Sequence, residues 1–97
     1  MSPDPRLLDL ERAFGELKEA VVGPVQRQVV LRAMFRVNDE LGRLARGEGQ
    51  LRGRLTGIQA LLNAVTIEVK RGDAAKARDA FARAEEALRD LRDDLSR

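Results

Sequence analysis

The chain has no cysteine, no histidine, no tryptophan and no tyrosine. Without cysteine, neither a disulfide nor a thiolate metal site is available to hold the fold. Without histidine, the commonest general base and the commonest transition-metal ligand are gone. Aromatics are limited to Phe14 and Phe81, on apolar seams, and Phe35, beside one, so core placement is expected for them and a base-stacking platform is not. Side-chain hydroxyls are confined to Ser2, Thr56, Thr66 and Ser96, and neither threonine has a base partner in sequence. No apolar run approaches the ~20 residues of a membrane span. The opening "MSPDPRLLDLER" is charged where the apolar part of a secretory signal would lie. These absences predict a cytoplasmic protein that is not an enzyme, carries no cofactor or metal and enters no membrane.

What is present is apolar periodicity and charge. A length of 97 residues predicts one domain, 1–97, with a small core. Apolar residues make up 43% and charged residues 35%, with no low-complexity block, which argues against disorder. Net charge is only +2 but unevenly placed: between residues 43 and 54, Arg43, Arg46, Arg52 and Arg54 face a single acid, Glu48.

Four seams run along the chain at alternating spacings of three and four, the mark of a helix with one apolar side. The first is Leu7, Leu10, Phe14, Leu17 and Val21, with Asp4 as N-cap and Pro5 at the first helical position. Gly23-Pro24 ends this helix, and Pro24 suits the start of the next. The second seam is Val30, Met34, Val37, Leu41 and Leu44, widened by Leu31 and Phe35; Arg32, Arg36, Asp39, Arg43 and Arg46 face away from it. The third is Leu51, Leu55, Ile58, Leu62, Val65 and Val69, closed by Lys70-Arg71, then Gly72 beyond the helix end and Asp73 as the next N-cap. The fourth is Ala74, Ala77, Phe81, Ala84, Leu88, Leu91 and Leu95, with Asp79–Arg83 and Glu85–Arg89 as i,i+4 pairs outside it. The fold class is therefore all-α, with coiled-coil-like seams and near-parallel helix packing expected.

The stretch "RLARGEGQLRGRLTG", residues 43–57, decides between two architectures. Read as a turn, with Gly47 just past a helix end, it gives a bundle of four antiparallel segments. Read as helix, it gives three helices with one long, dimerising central rod of ~70 Å. Leu44 and Leu51 share a register across it, and Gly49, Gly53 and Gly57 would form a smooth strip. The continuous helix, however, places Glu48 in the apolar seam and carries several glycines at about 1 kcal/mol each. The turn is the preferred reading. It puts a left-handed residue at Gly47, so Gly47→Ala is expected to cost roughly 1 kcal/mol.

Within this stretch, "RLARGEGQLRG" resembles the R-L-x-R-x-E-G-Q-x-R-G segment in the first helix of the copper-sensing repressors, small helical DNA-binding proteins that release DNA when metal binds. Arg43, Leu44, Arg46, Glu48, Gly49, Gln50, Arg52 and Gly53 carry the likeness. The resemblance implies operator contacts at Arg46 and Arg52 and a continuous helix through the glycines. The cysteine and histidine ligands of that family have no counterpart here, and over forty residues precede the segment. Similarly, Gly72, Asp73, Ala77, Phe81 and Ala84 match the spacing of the second helix of a tetratricopeptide repeat, but no 34-residue period accompanies them.

For function, Glu86, Asp90 and Asp94, with Asp93 beside them, make an acidic strip that reads as a solvated helix face, because carboxylates in a row do not converge on an ion. Asn38, Gln59 and Asn63 flank the seams, as register-setting polar groups or as plain surface. The expected function is a non-enzymatic helical protein–protein interaction or adaptor module. It self-associates as a homodimer or clasps a partner helix, using Leu31 and Phe35 as the association surface. The alternative is a small DNA-binding regulator whose phosphate contacts are Arg43, Arg46, Arg52 and Arg54.

Overall fold

The computed structural model describes residues 5–96 and is a four-helix bundle of 38 × 25 × 18 Å. A 3-10 turn at Pro5–Leu7 leads into α1, Leu8–Val22; α2 is Arg27–Gly47; a second 3-10 turn at Gly49–Leu51 leads into α3, Arg52–Lys70; α4 is Ala74–Leu95. No strand occurs among the described residues. Each helix packs on the next, and α4 returns to α1, so α2 and α4 lie at diagonal corners. The α3–α4 contact is the most extensive, and α1–α4 is the sparsest of the four sides. Small residues explain the first of these: Ala77 and Ala84 are fully buried on α4, with Ala80 and Ala87 packed beside them, which lets the backbones approach.

The seams form the core as their spacing requires. Leu10, Leu17, Val30, Val37, Ile58, Leu62, Val65 and Leu91 are at most 2% exposed, and no polar or charged residue is buried among the described residues. The Phe14 and Phe81 rings meet at 5.7 Å with planes tilted by 39°, joining α1 to α4. Leu44, Ala74 and Leu95, at the ends of their seams, are only partly buried. Two core alanines, Ala13 and Ala33, lie between seam positions and were not distinguishable from surface alanine by period alone.

The chain turns at residue 48, so the bundle and not the long rod is formed. Gly47 is the last residue of α2, Glu48 adopts φ −128° and ψ 75°, and the Glu48 N–H donates to the Leu44 carbonyl at 2.8 Å. The Leu51 N–H then donates to the Glu48 carbonyl at 2.9 Å, which tightens the turn and returns Leu51 to the core. Gly47 is therefore not the left-handed residue expected from the sequence. Gly72, at φ 79°, is the one positive-φ glycine among the described residues. The expected cost of Gly47→Ala is corrected accordingly: the site is helical, and an added Cβ meets nothing within 4 Å.

At Gly72 the helix end follows its sequence signals in full. The Gly72 N–H donates to the Val69 carbonyl at 3.1 Å and the Asp73 N–H to the Glu68 carbonyl at 2.9 Å, the paired bonds of a Schellman motif. The Asp73 carboxylate then accepts from the Lys76 N–H at 3.0 Å and caps α4. Two other end signals are corrected. Pro24 does not open α2, which begins at Arg27, because Val25 is spent as an apolar plug against the core. Pro5 opens a 3-10 turn instead of α1, and its proposed cap, Asp4, lies outside the described residues.

These geometries order the glycine variants. Gly72→Ala should lower stability by about 1 kcal/mol, since a Cβ is disfavoured at positive φ. Gly57→Ala, in open space inside α3, should raise it by up to about 1 kcal/mol. In thermal unfolding each kcal/mol should move Tm by about 4–8 °C.

Candidate interaction surfaces

The four arginines expected to act together divide into two pairs. Arg43, near the end of α2, reaches back along its own helix to Asp39 at 3.8 Å and Glu40 at 3.5 Å. Arg54, in the first turn of α3, donates to Asp94 of α4 at 2.6 Å. Arg46 and Arg52 are exposed, with no carboxylate within salt-bridge distance among the described residues. Glu48, between them, is held by other partners: Gln50 Nε2 donates to it at 2.7 Å, and Arg6 lies 3.5 Å from its second oxygen. Of the four, Arg46 and Arg52 are left without an ion-pair partner among the described residues.

The stretch also departs from what its resemblance implies, because the helix is broken at Glu48 where the copper-sensing repressors run on. Gly49, Gly53 and Gly57 have no neighbour within 4 Å of an added Cβ, so no helix of this chain packs closely on a glycine strip. No protein-family model, no curated protein and no solved structure matches the chain. The eleven-position likeness therefore stands by itself.

The proposed association residues have different surroundings. Leu31 is partly buried, whereas Phe35 is 77% exposed, the most exposed large apolar side chain among the described residues. The other two phenylalanines are at 4% and 3%, so the core placement expected from the sequence holds for Phe14 and Phe81 and is corrected for Phe35. Helix geometry explains the difference. Val30, Met34 and Val37 hold the inner side of α2, and Phe35 comes one position after Met34, rotated outward by 100°. Leu8, Val22, Val29 and Ile67 are also exposed, at 44–61%. They sit outside the four seams, which is the signal that marks them in the sequence.

The polar groups that could carry chemistry are tied up or dispersed. Thr56 Oγ1 donates to the Arg52 carbonyl at 2.8 Å, one turn back in its own helix, and Thr66 makes a longer contact of 3.5 Å to Leu62. Asn63 and Gln59 are exposed, and Asn38 is partly buried with its Oδ1 lacking a hydrogen-bond partner. Of the acidic strip, Asp94 is taken by Arg54, while Glu86, Asp90 and Asp93 point to solvent. Neither expected pair on α4, Asp79–Arg83 or Glu85–Arg89, closes among the described residues; Glu85 reaches α1 and meets Lys18 at 3.2 Å. A groove of about 280 Å³ opens along the sparse α1–α4 side, with Phe14, Gly15 and Leu88 on its apolar part and Glu11, Glu85, Arg89 and Arg92 around it. No helix among the described residues is long and apolar enough to cross a membrane.

The ion pairs at this surface are exposed, so they contribute little to stability. The Arg54–Asp94 pair, with both side chains more than 40% exposed, should be worth less than about 1 kcal/mol and should weaken with salt. Arg54→Gln is expected to shift the urea midpoint by no more than that, and Arg46→Gln by nothing measurable. A loss of several kcal/mol for Arg54→Gln would show that the pair anchors α4.

Proposed function

We propose that the protein is a non-enzymatic interaction module of the cytoplasm that self-associates through the outer side of α2, around Leu31 and Phe35. One observation carries this reading: Phe35 stands in water at 77% exposure in a bundle whose buried residues, among those described, are all apolar. A phenylalanine left outside such a core is the kind of anchor that interfaces use. The composition supports a binding role over catalysis, since histidine and cysteine are absent and the central threonines bond to their own helices. A cytoplasmic setting suits a fold that uses no disulfide.

A DNA-binding regulator is the second reading, favoured by the unpaired Arg46 and Arg52 and by the resemblance that names the same two residues. It ranks lower because Arg43 and Arg54 are already engaged by carboxylates. With two arginines free, binding to random duplex should be weak, with a salt slope near −2.

Sedimentation equilibrium at high micromolar concentration should give a mass above that of the monomer, and Phe35→Ser should reduce it while leaving Tm unchanged or higher. A monomer mass throughout would remove the self-association reading. Tight duplex binding with a steep salt slope would put the regulator in its place.

A further inference from the structure

The outward sides of α2 and α4 carry opposite charge. On α2, Arg32, Arg36, Arg43 and Arg46 are exposed along with one acid of the same side, Asp39, and Phe35 stands among them. On α4, Asp79, Glu86, Asp90 and Asp93 are exposed along with two bases, Arg83 and Arg89, which leaves the side acidic. Both strips cover the same fourteen-residue rise, ~21 Å at 1.5 Å per residue. Exposed Ala82 lies within the α4 strip and exposed Ala75 one turn before it, and they leave flat apolar ground where a ring can lie. Arg32 and Arg46 on α2, and all four acids on α4, lack an ion-pair partner among the described residues; Arg36 is held by Glu16 at 2.9 Å and Arg43 by Asp39 and Glu40.

The two strips cannot meet within one chain, because α2 and α4 occupy diagonal corners and face away from each other. They can meet between chains. We infer that the basic, Phe35-bearing side of α2 docks on the acidic side of α4 of a second copy, so that the protein assembles head to tail. This deepens the self-association reading above and rests on it. Such a contact is heterologous: each copy keeps one unused half on its far side, and the contact repeats until the chain of copies ends or closes into a ring. Opposed strips of this kind steer association and make it sensitive to ionic strength. A symmetric α2–α2 pairing is disfavoured, since it would bring together the Arg32 and Arg46 side chains of both copies, which lack ion-pair partners among the described residues, and offer them no new carboxylate.

The test uses nuclease-treated protein and two variants, each lacking one half. One is Arg32→Gln/Phe35→Ser/Arg46→Gln, and the other is Asp79→Asn/Glu86→Gln/Asp90→Asn; circular dichroism confirms that each keeps the helical fold. Sedimentation velocity of the unaltered protein at low salt should show masses that grow past the dimer with concentration and fall by several-fold in 0.5 M sodium chloride, roughly the range where the Debye length drops to a few ångströms. Each variant alone should be monomeric. An equimolar mixture should form a dimer and stop there, because only one contact remains. A salt-insensitive dimer of the unaltered protein, or variants that stay monomeric when mixed, would overturn the head-to-tail contact and leave self-association standing. Monomer under every condition would overturn both. Association that appears only on adding duplex DNA would assign the α2 side to nucleic acid and overturn it as well.

Discussion

Glu48 is where a sequence with the makings of one long helix turns back on itself. The second and third apolar seams share a register, so an unbroken helix would carry Glu48 into the seam between Leu44 and Leu51. Burying an unpaired carboxylate there would cost several kcal/mol, and the glycines on either side already weaken the helix. Breaking the helix at this residue removes the conflict. The Glu48 side chain leaves the seam for a partly exposed position, where Gln50 and Arg6 hold its two oxygens, and Leu51 keeps its place in the core from the other side of the turn.

Once the chain reverses here, the four seams have one another as partners. The second and third seams face each other across a tight turn, the Schellman turn at Gly72 folds α4 onto α3, and the Phe14–Phe81 contact closes α4 on α1. The fully buried residues of the core, among those described, are then all apolar. Whatever binding the protein does is left to the outer sides of the helices, where charge and a few displaced apolar residues remain. Phe35 and the opposed strips on α2 and α4 are the features there that a filled core does not explain.

The seams were legible because helical period alone selects the inner face, and nearly every seam residue is buried. The end of α3 was legible because Lys70, Arg71, Gly72 and Asp73 each act locally, through backbone geometry and a cap three residues away. The turn at Glu48 was legible as a turn but not in its form, since glycine suits both a left-handed residue and a flexible helical one. The tip was harder. Arg54 is claimed by Asp94, forty residues along the chain, and Glu85 by Lys18 of α1. Such pairings depend on which helices become neighbours, which periodicity does not encode. Phe35 could be seen to widen its seam, but its exposure followed only from a core that closed without it.

The reversal at Glu48 is tested most directly by a distance within one chain. Because the sequence has no cysteine, Gln28→Cys and Lys70→Cys give two unique sites for spin labels, near the start of α2 and the end of α3. Dilution with unlabelled protein restricts a dipolar measurement to pairs in the same chain. In the bundle, Arg27 and Lys70 border one cavity, so the labels should lie closer together than the 38 Å long dimension of the molecule. A separation near 60 Å, as one continuous helix over these residues requires at 1.5 Å per residue, would contradict the four-helix bundle and the surfaces that depend on it.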